Sequence, residues 1–532
     1  GPKVQSKPRH RSVRGRIPWL ALLALFVLAC WRVAPAQGQD GSWDEPVNLS
    51  EESLAGLDPP EVAWFPDLAV DSSGRVHVVW CQTVRSSVEP EESGRLPERA
   101  FYTVWDGQSW SEPNDIVPPN REIVRNAITV DRGDRLHFVY AYRVRGMGST
   151  GIYYTQADSD VAWAANAWSP PHLVSGRGRS YMGDVGIDDD GVLHLIIDDT
   201  GDLESDICPA CADIFYRRSI DGGQTWSSPI DLAAMPWGAS HEQMEIDPAG
   251  TLHVTWDEGW DRLTGRGQPI YSAYVASSDG GLTWSEPLTI AHPVTGTTQL
   301  AVGADGDGGV MLVWRMASVE DNAIYYQWSR NGGRTWGAPA SIPAIFARTW
   351  MSPYDMYDMA TDSAGHIHLV AVGRLSDERT APLGVYHLVW DGAAWSGPET
   401  VYARDNAPEY PKLEILRGNR LHLVWFTRPD EFGEGQYHVW YTQGQSDAPY
   451  QAPPPTSVPS PTPVSSGPET DALPAPTHTP FPTLAPGTSQ VPQGIDTESD
   501  ELMLLALGLS PLVLILIAAL LLRRRGRGRF RR

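Results

Sequence analysis

Seven copies of one strand motif at near-constant spacing, flanked by an unpaired strand motif at each end, predict an all-β protein. The expected architecture is a seven-bladed β-propeller closed by its own termini. The motif is a turn rich in Asp and Gly followed by Leu-His-apolar-apolar-aromatic, as in Val76-His77-Val78-Val79-Trp80. Its second residue recurs at His137, His194, His253, Met311, His368 and His422, giving intervals of 60, 57, 59, 58, 57 and 54. Composition agrees: 22 Trp, 50 Gly and 45 Pro in 532 residues suit many short strands joined by tight turns. Four cysteines are too few to build a disulfide scaffold in a chain of this length, so the fold rests on an apolar core.

Each repeat reads as four strands. Strand a precedes the Asp/Gly turn, as in Ala127-Ile128-Thr129-Val130-Asp131, and strand b is the His motif. Strand c carries an aromatic pair, as in Ile152-Tyr153-Tyr154, and strand d opens on Trp-Ser-x-Pro, as in Trp284-Ser285-Glu286-Pro287. An orphan strand d, Ser42 to Leu49, begins the region, and an orphan strand c, Tyr437 to Thr442, ends it. Pairing the two makes the seventh blade from both termini and hides a strand edge. A linear β-solenoid, the competing architecture, leaves both orphans unpaired.

The repeats occupy residues 42–443, and the rest of the chain reads as an export and anchoring apparatus. Residues 1–36 resemble a signal peptide: a basic start, an apolar stretch from Ile17 to Cys30, and Ala34-Pro35-Ala36 as the cleavage site. An uncleaved anchor and lipid attachment at Cys30 are the alternatives; Leu28 and Trp31 fit the latter poorly. Residues 446–498 form a Pro/Thr/Ser-rich stalk, extended by roughly 150 Å if it adopts polyproline II. Residues 501–522 form the expected span, in which Leu502 to Leu522 are apolar and long enough to cross a bilayer, and the basic tail 523–532 puts its C-terminal end in the cytoplasm. The expected location is therefore the cell membrane, single-pass, with the propeller outside.

Between strands c and d, three repeats carry Ser-x-Asp/Asn-x-Gly-x-Thr-Trp: Ser219 to Trp226, Ser277 to Trp284 and Ser329 to Trp336. Their chemistry is that of a turn, in which Asp or Asn binds nearby backbone NH groups and Gly accepts positive φ. The sequence resembles the Asp-box, or bacterial neuraminidase repeat, family of sialidase-like propellers. That resemblance implies boxes on the face away from an axial pocket, and it does not by itself imply activity. Sialidases hold a substrate carboxylate with three arginines and use a Tyr backed by Glu, with Asp as acid/base. The Arg-Ile-Pro that should open their first inner strand occurs only at Arg16-Ile17-Pro18, inside the signal peptide. The corresponding strand, Trp64 to Asp71, has no Arg. Tyr410 beside Glu409, or Tyr354 and Tyr357, are the residues that could stand as nucleophile.

Aligning the seven inner strands gives one polar ring position at the axis, occupied by Asp67, Ala127, Asp184, Gln243, Ala301, Asp358 and Lys412. Asn126, His241, Glu242 and Tyr357 extend that surface, making an axial ligand pocket or a water-filled channel. Asp67, Asp184 and Asp358 could supply paired carboxylates for glycoside hydrolysis. The repeated histidines, one per blade, read as structural rather than as a metal array. Cys208-Pro209-Ala210-Cys211 reads as a local disulfide rather than a zinc or redox pair. The turns at Asp188-Asp189-Asp190-Gly191 and Asp305-Gly306-Asp307-Gly308 could hold calcium, though equivalent turns lack that charge. No cofactor and no metal site is expected. A formal charge of −24 argues against nucleic acid as partner. The expected function is recognition of an extracellular glycan or protein ligand on the axial face. The alternative is an exo-acting glycoside hydrolase using axial carboxylates.

Overall fold

Strand b of each repeat is apolar along both faces because it lies at the centre of its sheet and between neighbouring sheets. Every residue is buried in Val76–Thr83, Leu193–Asp199, Leu252–Gly259 and Ile367–Arg374. Trp80, Trp256, Trp314 and Trp425, which close the motif in four repeats, are among the largest fully buried side chains. A computed structural model describes residue 1 and residues 43–54, 62–84, 97–117, 122–144, 148–176, 178–200, 211–233, 237–259, 268–291, 295–433 and 435–452. The chain divides into compact units at 1–455 and 456–532. The signal peptide, nearly all of the Pro-rich stalk and the span 501–522 lie outside the described residues, as do Cys208 and Trp260. Among the described residues no helix is long and apolar enough to cross a membrane.

The fold is an all-β propeller. Five four-stranded antiparallel sheets hold repeats one to four and the closing repeat. The fifth and sixth repeats depart from the expectation of separate blades: they share one eight-stranded sheet. Strand Ala340–Ala347 of the fifth repeat continues far enough to pair Phe346 with Arg374 and Ala347 with Gly373 of the sixth. The closure expected from the orphan strands is present. Val47 pairs with Tyr441 and Asn48 with Trp440, Asp44 N donates to Gln443 O, and Leu49 N donates to Val439 O.

The recurrent histidines do structural work. In repeats one to four each bridges the turn Asp to a Tyr on strand c. His77 lies 3.2 Å from Asp71 and 2.6 Å from Tyr102, and His253 lies 3.3 Å from Asp247 and 2.8 Å from Tyr274. In the sixth repeat His387 replaces the Tyr, 2.8 Å from His368. Three of these tyrosines, Tyr154, Tyr216 and Tyr274, receive the Asp-box of the following repeat. Tyr216 Oη donates to Gly280 O at 3.3 Å and packs edge-on against Trp284 at 4.9 Å; Tyr154 does the same with Gly222 O and Trp226. Within the boxes, Asp221 and Asp279 accept the backbone NH and hydroxyl of Thr225 and Thr283. The boxes are thus latches between neighbouring sheets.

The turns considered for calcium are closed by their own backbones. Asp188 Oδ1 accepts from Asp190 N and Val192 N, and Asp305 Oδ1 from Asp307 N and Gly309 N. No group of three or more His, Cys, Asp or Glu suited to a metal occurs among the described residues. Cys211 is disulfide-bonded; its expected partner Cys208 lies outside the described residues. Cys81 is a buried free thiol.

Candidate functional site

The seven ring positions share one register. Asp67, Ala127, Asp184, Gln243, Ala301, Asp358 and Lys412 each pair with the fourth residue of the adjoining motif, from Val79 to Val424. Just before this position, five inner strands shift register by a bulge, between Trp64/Asp67, Ile123/Asn126, Ser240/Gln243, Thr298/Ala301 and Glu409/Lys412. A bulge re-aims the side chain it carries. In four of them the bulged residue is non-glycine at positive φ: Phe65 at 52°, His241 at 58°, Gln299 at 59° and Tyr410 at 58°. Left-handed backbone at such residues costs on the order of 1–3 kcal/mol, and its repetition marks the start of the inner strands as a specialised place.

The fifth bulge carries Arg125, which sequence inspection did not single out. Its guanidinium is buried and stacks on Phe65 at 3.3 Å, with the rings of Tyr354, Tyr181 and Tyr410 at 4.9, 5.0 and 5.9 Å. Its Nε and Nη1 have no hydrogen-bond partner among the described residues. Next to this cage lies a cluster of carboxyls. Burial first, then Asp198 and Asp355, hold Glu242 well above the ordinary carboxylate range, and both of its oxygens lack a hydrogen-bond partner. Asp198 accepts from Tyr181 N and Met182 N on one oxygen, leaves the other unpartnered, and is pushed up to about 7 chiefly by burial. Asp355 Oδ2, Asn126 Oδ1 and Gln299 Oε1 are unpartnered in the same region. Buried polar atoms are normally satisfied, so their concentration here is what a site for water or a hydroxyl-rich ligand requires.

Deeper in the axis, the three ring carboxylates are committed to the fold rather than free for chemistry. Asp67 Oδ2 accepts from Ile128 N at 2.7 Å, Asp184 from Met244 N at 3.1 Å, and Asp358 from Leu413 N at 2.6 Å. Each therefore staples its inner strand to the next. Burial raises Asp67 to about 7 and Asp358 to about 6, with Lys412 opposing in both cases. All three side chains are half-buried. Gln243 Nε2 reaches across to Tyr357 O, and Lys412 Nζ sits 5.2 Å from the Tyr410 ring. The far end of the inner strands opens on a cavity of about 210 Å³ lined by Asp188, Glu245, Asp247 and Thr361.

Of the residues expected in an axial pocket, Asn126, His241, Glu242 and Tyr357 do lie at the start of the inner strands, with Glu242 at the centre of the carboxyl cluster. His241 is held between Asp257 Oδ2 at 3.1 Å and Pro353 O at 2.6 Å, and Asn126 donates to Phe65 O and Cys81 Sγ. Arginines converge on the same face, but on glutamates. Arg348 pairs with Glu409, Arg428 lies 3.3 Å from Glu409, and Arg374 pairs with Glu431. Glu409 is therefore engaged by arginines rather than backing Tyr410. Sequence inspection missed Arg125, Asp198, Gln299 and Asp355. The detectable signal was position: Arg125 and Gln299 stand two residues before the ring, like His241 and Tyr410.

Radially repeated four-stranded units, box latches and an axial polar mouth define a sialidase-like β-propeller. The chain belongs to the BNR repeat-like domain family, whose profile matches residues 150–423, more than half of its length. No curated protein matches it. Among solved structures it is similar to a protein of unknown function from Dyadobacter fermentans, at 15% identity and TM-score 0.43, covering 76% of this chain and 99% of that one. It is similar to the polysaccharide lyase Uly1, at 12% identity and TM-score 0.48, covering 72% and 90%. The NanB sialidase from Streptococcus pneumoniae is similar at 13% identity and TM-score 0.42, covering 73% and 69%.

Proposed function

We propose that this protein is a membrane-anchored, cell-surface propeller of seven blades that recognises a saccharide at its axial mouth. The observation that carries the reading is the gathering of unpartnered buried donors and acceptors there: Arg125, Asp198, Glu242, Asp355 and Gln299, beside three tyrosines. Sugars offer both hydroxyl hydrogen bonds and C–H faces, and such a wall answers both. Two exposed aromatics on the rim, Trp350 and Phe432, stand edge-to-face at 5.7 Å and add a stacking surface. The last described residues, 446–452, are hydrogen-bonded to the a–b turns of the sixth and seventh repeats, through Asn419, Ser363 and Arg417. Residues 446–452 thus lie on the face opposite the mouth, which favours a tether that keeps the mouth free.

A glycan-binding screen of the purified full chain in detergent tests this. Binding should weaken at least about tenfold in Arg125→Met and Glu242→Gln; a protein ligand instead of a glycan, or no binding, defeats the saccharide reading. One observation favours hydrolysis as a second reading: burial holds the Glu242 carboxyl well above the ordinary carboxylate range, the direction that suits a general acid. Turnover of chromogenic glycosides that disappears in Glu242→Gln would establish it.

A further inference from the structure

The segment from Arg348 to Met356, between strands Ala340–Ala347 and Tyr357–Thr361, has no regular secondary structure. It nevertheless touches the inner strands of five other repeats. Tyr354 meets Phe65 of the first repeat at 5.0 Å, Arg125 of the second at 4.9 Å and Phe426 of the seventh at 5.9 Å. His241 of the fourth repeat contacts Pro353 O at 2.6 Å. Gln299 of the fifth donates from Nε2 to both Ser352 O at 3.0 Å and Tyr354 O at 2.9 Å. Tyr410 N of the seventh donates to Asp355 O at 3.1 Å. A segment bound to inner strands on opposite sides of a ring crosses the axis of that ring. It also brings Asp355 beside Glu242, whose carboxyl, like that of Asp198, has an unpartnered oxygen.

The way it is held is unusual for a packed loop. Its Ser352, Pro353 and Tyr354 carbonyls are gripped by side chains, while Asp355 O and Met356 O accept from the backbone; the gripping residues His241 and Gln299 are two of those kept at positive φ. His241 meets an oxygen at each ring nitrogen, Asp257 Oδ2 at 3.1 Å and Pro353 O at 2.6 Å. On the outer side of the segment Trp350 and Met351 are exposed. No strand pairing ties residues 348–355 to the ring; separate hydrogen bonds, the Arg348–Glu409 pair and the ring contacts of Tyr354 do, which is how a movable element differs from a core strand.

We propose that residues 348–356 form a lid over the axial mouth, latched by Gln299 and His241, and that ligand reaches Glu242 only when the lid lifts. The lid rests on reading the mouth as the ligand site, yet its test needs no ligand. The full chain in detergent is treated with a carbodiimide and glycine amide, and label at each carboxyl is read by mass spectrometry. Gln299→Asn withdraws the latch donor by one methylene, and His241→Asn removes the imidazole; Asn tolerates the left-handed backbone at both positions. Label on Glu242 and Asp198 should rise at least about tenfold in either variant. Asp71, buried in a turn remote from the lid, should stay protected, and the melting midpoint should stay within a few degrees. Equal labelling of Glu242 in wild type and both variants overturns the lid. So does a parallel rise at Asp71, which would show general loosening. Absence of glycan binding alone would sink the saccharide reading and leave the labelling result standing.

Discussion

Gly281 shows how narrowly single residues are specified in this propeller. A Cβ there would sit 1.9 Å from Tyr216 Oη, and the backbone is at φ +79°, so both space and conformation exclude a side chain. Gly392, in a shortened box, has φ +89° but nothing within 4 Å. Gly281→Ala should therefore cost about 3 kcal/mol, combining left-handed strain with overpacking, while Gly392→Ala should cost about 1 kcal/mol. Chemical denaturation of the two variants side by side measures the difference, and equal losses would refute the latch role of Tyr216. The Ser-x-Asp-x-Gly-x-Thr-Trp pattern made the turn legible in the sequence. That Tyr216 of the preceding repeat closes on it was not, because the contact joins residues 64 positions apart.

At the scale of the inner strand, the Asp staples predict a pH dependence. Burial raises Asp67 from 3.8 to about 7 and Asp358 to about 6, so the folded state holds protons that the unfolded chain releases above about pH 4. Their contribution to stability is thus full below pH 4 and is lost as pH rises through 6 to 7. His422 works in the opposite direction: burial lowers it from 6.5 to about 4, so its contribution is present above 6.5 and lost as pH falls through 4. Asp67→Asn keeps an acceptor for Ile128 N and removes the titration. Melting midpoints between pH 4.5 and 8 should decline less steeply with pH in that variant than in wild type; parallel curves would contradict the assignment. The ring position itself was readable from the alignment of turns. Its use as a staple was not, since the NH that each Asp accepts belongs to the next inner strand.

At the scale of the whole molecule, the ring is held shut by the few residues that pair Val47–Asn48 with His438–Gln445. Removing residues 43–49 should lower the melting midpoint and expose the His438–Gln445 edge, read as concentration-dependent light scattering on heating. An unchanged melt would mean that closure is carried elsewhere. Repeat period, strand order and the two orphan strands were written in the sequence because each is a local pattern of turn residues and apolar alternation. Sequence alone thus determined the propeller class, the box turns, the closing pair and the axial position of the ring. Only the tertiary structure decided that the fifth and sixth repeats merge, that the ring carboxylates are stapled, and that Arg125, Asp198 and Glu242 gather beside Asp355. The physical reason is the same in each case: these outcomes depend on contacts between different repeats around a closed ring, and no local periodicity records which distant backbone or side chain will arrive there.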